Sequence, residues 1–439
     1  MLQAMGYREA PSSIGQRLLW FLEHYRPDTA SLNCPVVTKL HGPLIADELQ
    51  VALGRLAHRH EALRTTLVRK GRNLVQHVHD ELRLPFHHIE LPATEPDQLD
   101  GLLEEVIAKE LNTPVEVGQY PMRVTLWRID EGEHVLCLNM HHLVSDAWSC
   151  GIVLQDLIKF LEAGPDGDPG LPQVAWQYAD FAQWQHEQMT SGALKKHQDY
   201  WIGQLKDMKL VALPPASAAT GVRATGIETM AIEAGVFNRL KAIARSERTT
   251  PFAVMLTLYY LLLAQKTGQT DLSVASLFAN RSVKGVQTTV GFFANMVVLR
   301  SQIDTQARFI DVVRSVRGTV IDGFLHEGIP YQMLPLNFQN SGGRVDDVVF
   351  QMLLTPPPGT KVSARGVEFE LYTPDSLGSR FGLELGLIPQ HTGDCSAMLF
   401  YTTDRFRPEW AKEFIGDYLA FAQAASKQPD IVLSLRKEA

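Results

Sequence analysis

Asn139-Met140-His141-His142-Leu143-Val144-Ser145-Asp146-Ala147-Trp148-Ser149 closes one apolar run, Val135 to Met140, and precedes another, Ile152 to Leu161. The first run reads as a strand with alternating faces, and the second as a helix. Two adjacent histidines, with an aspartate four residues after the second, therefore sit where a strand ends and a helix begins. Buried imidazole and carboxylate groups cost free energy unless they are bonded. A polar knot at this place is either a catalytic centre or a structural pin.

His142 suits a general base or a positioning partner, because imidazole titrates near neutral pH. His141 follows the apolar Met140 and reads as a packed, hydrogen-bonded core residue. Asp146 stands at the wrong end of a tight loop to orient a triad, and reads as an acid that pairs with an arginine and fixes the loop. Neighbouring histidines point apart on an extended chain, and neither HExxH nor a third nearby ligand accompanies them, so no metal is expected. The chain has no GxSxG elbow, no P-loop and no GxGxxG in a strand-turn-helix context. That suits direct transfer between two bound substrates better than a covalent enzyme intermediate.

The 439 residues exceed one ordinary core and predict two domains of similar size. The split is placed at the Gly-, Pro- and Asp-rich stretch Ala163 to Pro172, giving 1–172, which carries the histidines, and 173–439. The mild net charge of -8 argues against a nucleic-acid binder. Cys34, Cys137, Cys150 and Cys395 are widely spread and form no CxxC pair, so they read as reduced, mostly buried thiols of a cytoplasmic protein. Met1 to Ser13 has no apolar core for a signal peptide. The run Phe252 to Ala264 is too short for a membrane span, which takes about 20 residues.

Ser12-Ser13 offer a cap to a helix over Ile14 to Leu22. Further helices are expected over Ile45–Ala57, Gln98–Leu111, Ile152–Leu161, Pro251–Gln265, Phe309–Leu325 and Pro408–Ala425, with an aromatic-studded helix start at Trp176 to Gln185. Arg59 to Leu67 shifts toward strand character. Strands are expected near Leu74–His79, Met122–Ile129, Val135–Met140, Asp271–Phe278, Gly291–Arg300, Val348–Leu354, Val367–Tyr372, Leu383–Ile388 and Ala397–Tyr401. This alternation lacks a strict βαβ cadence, so the fold class is α/β in the broad sense, α+β with mixed sheets covered by helices in two similar lobes.

Met140 to Ser149 resembles the HHxxxDG motif of the condensation domains of nonribosomal peptide synthetases, in the chloramphenicol-acetyltransferase-like superfamily. Other signatures follow in order: Ser13–Leu22 resembles SxxQxRLWFL, Arg59–Thr65 RHExLRT, Tyr178–Gln185 YxDFAxWQ and Gly291–Arg300 GxFxNxxxLR. His326 to Tyr331 is a looser match to a QDYPFE-like motif, and the resemblance spans about residues 12 to 405. It implies two acetyltransferase-like lobes forming a V, with phosphopantetheine arms of donor and acceptor entering a tunnel between them and meeting at His142. It further implies attack by an amine or hydroxyl on a carrier-tethered acyl or aminoacyl thioester, with His142 as the catalytic residue. Asp146 is expected to pair with Arg281, His141 to frame the site, and Ala147, Trp148 and Asn295 to line the tunnel. Ala147 replaces the family's glycine, which matters if that position needs φ > 0. Arg380-Phe381-Gly382-Leu383 lacks the family's aspartate after phenylalanine, and Arg344 to Met352 keeps only the Phe-Gln core of an RNPLFQ-like motif.

No cofactor is expected on this chain; phosphopantetheine comes with a partner acyl or peptidyl carrier protein. Pro374 to Leu377 lacks the Leu-Gly-Gly of a carrier and reads as a loop. With no adenylation or carrier domain in evidence, a free-standing enzyme that meets its carrier in trans is expected, using a carrier-bound or small-molecule acceptor, with no nucleic acid or membrane partner. The alternatives are an acyl-CoA-dependent acyltransferase of the same superfamily, or a catalytically silent carrier-docking module.

Overall fold

The computed structural model describes residues 6–25, 32–81, 84–213, 224–334, 344–353, 357, 359–372 and 381–434. Pro374 to Leu377 and Arg380 lie outside them. In chain order the elements begin with β1 (Tyr7–Pro11), α1 (Ile14–Tyr25), β2 (Asn33–His41), α2 (Ala46–Arg59), β3 (Thr65–Lys70) and β4 (Asn73–His79). β5 (Phe86–Glu90), α3 (Pro96–Leu111), β6 (Met122–Arg128), β7 (Glu133–His141), α4 (Ala147–Ala163) and α5 (Tyr178–Thr190) follow. Next come α6 (Lys195–Gln204), β8 (Thr225–Ile232), α7 (Ala234–Ser246), α8 (Pro251–Thr267), β9 (Asp271–Phe278), β10 (Asn295–Gln302) and α9 (Phe309–Leu325). The last are β11 (Val348–Met352), β12 (Lys361–Ala364), β13 (Val367–Tyr372), β14 (Leu383–Pro389), β15 (Cys395–Thr402) and α10 (Pro408–Lys427).

Two compact units form. The first holds Met1–Ala193, Ala279–Ala294 and Thr355–Leu377; the second holds Leu194–Phe278, Asn295–Leu354 and Gly378–Ala439. These units differ from a single split after residue 172. Ala163 to Pro172 is stitched down rather than extended: the Arg55 guanidinium donates to the carbonyls of Gly164, Pro165 and Gly167, and Arg59 donates to that of Pro172. α5 also stays in the first unit, where Phe181 packs on Phe293 with ring centroids 4.6 Å apart.

The first unit's six-stranded sheet runs β12-β13-β2-β7-β6-β5, with β1-β4-β3 as a separate small sheet. Its pairs are antiparallel except β5 with β6. β7 lies inside this sheet and is covered on both faces, which explains its nearly unbroken apolar sequence. Val135 and Cys137 pack with Leu103 and Ile107 of α3, whereas Leu136, Leu138 and Met140 pack with α2 and α4. The period of two thus holds the strand in one register, and that register delivers the histidines to its end.

The second unit has a six-stranded sheet in the order β10-β9-β11-β14-β15-β8. β11 runs parallel to both neighbours while the other pairs are antiparallel. α8 is apolar all round and is buried from Ala253 to Ala264, as a core helix must be. It starts on the Thr250 hydroxyl, which accepts from the Ala253 N–H, and stops at Gly268 with φ 71°. Among the described residues no helix is long and apolar enough to cross a membrane.

Candidate active site

The loop between β7 and α4 carries His142 to Asp146. α4 starts at Ala147, five residues before the start expected from its apolar pattern, because Asp146 caps it. The Asp146 Oδ1 accepts from the Ser149 N–H at 2.7 Å, satisfying a helix-end donor that otherwise has no partner.

Asp146 is 2% exposed and is bonded on every side. Arg281 Nη2 lies 3.1 Å from Oδ1, and the N–H groups of Phe293 and Ala294 donate to Oδ2 at 2.9 and 3.1 Å. These two donors explain why the strand expected from Gly291 begins only at Asn295. Residues 291–294 form a turn whose N–H groups face a carboxylate instead of a neighbouring strand. Arg281 in turn donates to the carbonyls of Val286 and Thr289 and to the Ser149 hydroxyl. Its guanidinium sits 4.1 Å from the centre of the Phe293 ring. Burial pushes the Arg281 guanidinium down, but the Asp146 charge opposes that shift.

The two histidines hold their protons on opposite nitrogens. The Leu143 N–H donates to His141 Nδ1 at 3.0 Å, so that nitrogen is the acceptor and the proton is on Nε2. That Nε2 lies 3.1 Å from Glu23 Oε1, and the ring is 1% exposed. His142 Nδ1 faces the Ser145 carbonyl at 3.1 Å. A carbonyl only accepts, so the His142 proton is on Nδ1 and the lone pair is on Nε2. The His142 ring is half-buried and meets Phe292 edge-on at 6.0 Å.

Several sequence signatures converge on this loop. Ser13 and Gln16 form a reciprocal cap at the start of α1, and Gln16 Nε2 donates to the Leu143 carbonyl at 2.9 Å. Tyr178 accepts from the Ser13 hydroxyl at 2.8 Å and donates to the Phe292 carbonyl at 2.6 Å. Gly291 lets Tyr178 come this close, since a Cβ there would stand 2.0 Å from a ring carbon. Arg59 and His60 hold α4 at mid-length, each 2.8 Å from Asp156 Oδ2.

The Asp156 carboxyl is held below its ordinary range: burial pushes it up, and hydrogen bonds from His60 and Arg59 outweigh that. Burial lowers His60, so it is neutral at pH 7. A His that stays neutral when folded binds fewer protons than the unfolded chain, so its contribution falls as pH drops below its unfolded value of 6.5. Asp156 adds loss of the same sign below 3.8. Unfolding temperatures of wild type and His60→Gln, measured from pH 8 to 5, should therefore converge as pH falls; a constant gap would contradict the assignment.

The remaining candidates are placed differently. Ala147 is the exposed first residue of α4 and is not among the described residues with positive φ, so its backbone does not need glycine. Ala147→Gly should lower stability by no more than about 1 kcal/mol in denaturant titration and leave turnover nearly unchanged. Trp148 is 46% exposed, and its indole N–H donates to the Gln287 carbonyl at 3.0 Å. Asn295 belongs to the second unit, at the start of β10, where it is buried and its amide donates to the Glu327 carbonyl. The first unit thus brings His141, His142, Asp146, Ala147, Trp148 and Arg281 together. Phe293, Ala294, Ser149 and Gln16 complete the frame; the quoted motifs contain them, but the sequence assigned them no role.

This loop is that of an HHxxxD acyltransferase. The chain belongs to the condensation-domain family, whose description "Condensation domain" matches residues 7–435. Such domains form amide or ester bonds in the assembly of nonribosomal peptides and related natural products. The chain is 30% identical over 90% of its length to chondramide synthase cmdD of Chondromyces crocatus, and covers 10% of that protein. It is 29% identical over 91% of its length to phosphinothricin tripeptide synthetase PhsC of Streptomyces viridochromogenes, and covers 37% of that protein. The SgcC5 protein of Streptomyces globisporus is similar in structure at 25% identity, with a TM-score of 0.74 over 96% of this chain and 99% of that one.

Proposed function

We propose that the chain joins a carrier-tethered acyl or aminoacyl thioester to an amine or hydroxyl acceptor, with His142 as the base. The observation that carries this reading is the bond from His142 Nδ1 to the Ser145 carbonyl, which leaves the Nε2 lone pair as the proton acceptor. Nε2 takes the proton of the amine or hydroxyl as its nitrogen or oxygen attacks the thioester carbonyl. The tetrahedral oxyanion then collapses, the C–S bond breaks, and the proton passes from His142 to the departing phosphopantetheine thiolate. Asp146 and Arg281 hold the loop and take no proton.

The experiment offers an acylated carrier protein and a panel of amines and alcohols, and follows product mass. SgcC5 was crystallised with (R)-(-)-1-(2-naphthyl)-1,2-ethanediol, so a vicinal diol belongs in the panel. Acceptor-dependent appearance of an amide or ester supports the proposal. Preferential use of acyl-CoA, or carrier binding without turnover of any donor, would overturn it.

A further inference from the structure

Cys34 and Cys150 are 116 positions apart in sequence, and their sulfurs are 3.3 Å apart in the fold. Cys34 lies on β2 opposite Met140 of β7, and Cys150 lies in the first turn of α4. The pair therefore spans the two elements that hold the His142 loop. Cys150 is partly exposed, whereas Cys137 and Cys395 are buried. The Cys34 thiol also lies near the His142 ring and Ser145.

We propose that Cys34 and Cys150 form an oxidisable dithiol whose disulfide slows acyl transfer at His142. Two S–H bonds break and one S–S bond forms. The two electrons and two protons reduce hydrogen peroxide to two waters, or a low-molecular-weight disulfide to two thiols. A disulfide requires the sulfurs to close to about 2.05 Å, so the two side chains, carried on β2 and the first turn of α4, must draw together by roughly 1 Å. Both anchors of the loop lie in that path. The Ser149 N–H on Asp146 is adjacent to Cys150, and the Leu32 carbonyl that accepts from the His142 N–H is two residues before Cys34.

The neighbours single out Cys34 as the reacting thiol. A hydrogen bond from Cys150 lowers the Cys34 thiol, with burial opposing it and the nearby His142 and Ser145 adding to the lowering, while the same bond and burial push the Cys150 thiol up, so Cys34 is the thiol that ionises. Burial instead pushes Cys137 up, and pushes Cys395 up to about 12.

The effect on rate rests on the role proposed for His142, whereas the bond itself is read without any turnover. The test treats the reduced protein with hydrogen peroxide, alkylates the remaining thiols, maps peptides by mass without reductant, and measures acyl transfer before and after. The expected result is a linked Cys34–Cys150 peptide with Cys137 and Cys395 still alkylated. Transfer should fall by about 10- to 100-fold, the scale of a misplacement of roughly 1 Å. Dithiothreitol should reverse both changes, and peroxide should leave the rate of Cys150→Ala where it was. Cys34 and Cys150 remaining separate after peroxide would overturn the proposal, as would a bond that forms with no change in rate. A bond that forms in protein with no transfer even when reduced would overturn the proposed activity and leave the dithiol standing.

Discussion

Replacing His142 with alanine is expected to lower the rate of acyl transfer by about 10²–10⁴-fold, the range for loss of a positioned general base. The fold should survive. The ring is half-buried and its bond to the Ser145 carbonyl is a neutral one, so unfolding free energy should move by no more than about 1–2 kcal/mol. His141→Ala is the contrast. That ring is 1% exposed and accepts from the Leu143 N–H, so its loss strands a buried donor and should cost about 1–3 kcal/mol. Product mass from an acylated carrier, read beside a denaturant titration of each variant, separates the two. Equal turnover by wild type and His142→Ala would remove His142 from the chemistry. Equal destabilisation by both variants would mean that the two rings do the same structural work, contrary to their opposite proton positions.

Those proton positions show where sequence reading stops. The loop's place at a strand end was legible, because Val135 to Met140 is a short apolar run and a helical run follows it. The assignment of separate roles to two adjacent histidines followed from their neighbours in sequence. Which nitrogen carries each proton depends on the Leu143 N–H and the Ser145 carbonyl, and loop geometry fixes both. Elements with strong local signals were bounded well. β9 runs from Asp271 to Phe278 and α9 from Phe309 to Leu325, as their patterns require.

Elements whose stability comes from distant partners were not legible. β2 opens with Asn33-Cys34-Pro35, which reads locally as a turn, and its nine-residue pairing with β7 makes it a central strand. β8 escaped for the same reason, as an edge strand held by β15 well over a hundred residues later in the chain, whereas α7 was missed although Val236, Phe237, Leu240, Ile243 and Ala244 recur at helical spacing. Residues 291–294 misled in the opposite direction. Their apolar character matches a strand, but two of their N–H groups bond Asp146. The cysteines, too far apart in sequence to suggest a pair, meet only because β2 lies beside β7 and α4 returns over the sheet.

The Asp146 and Arg281 pair gives the largest expected effect on stability. Asp146→Ala removes the partner of a guanidinium that is 7% exposed, and breaking such a buried pair typically costs about 3–5 kcal/mol. It also strands the N–H groups of Ser149, Phe293 and Ala294 and deletes the α4 cap. Arg281→Met should cost less. The carboxylate left behind keeps three backbone donors, and methionine fills much of the same volume without a charge. The double variant Asp146→Ala, Arg281→Met should then be more stable than the sum of the two losses predicts, by a coupling of about 0.5–3 kcal/mol. The ordering follows from the donors: Asp146 has substitutes for Arg281, and Arg281 has only carbonyls and a hydroxyl in place of Asp146. Denaturant unfolding of the three variants reads it directly. Additive losses, or a larger loss for Arg281→Met than for Asp146→Ala, would mean that the backbone donors of residues 293 and 294 do not hold the carboxylate, and that the ion pair alone secures the loop.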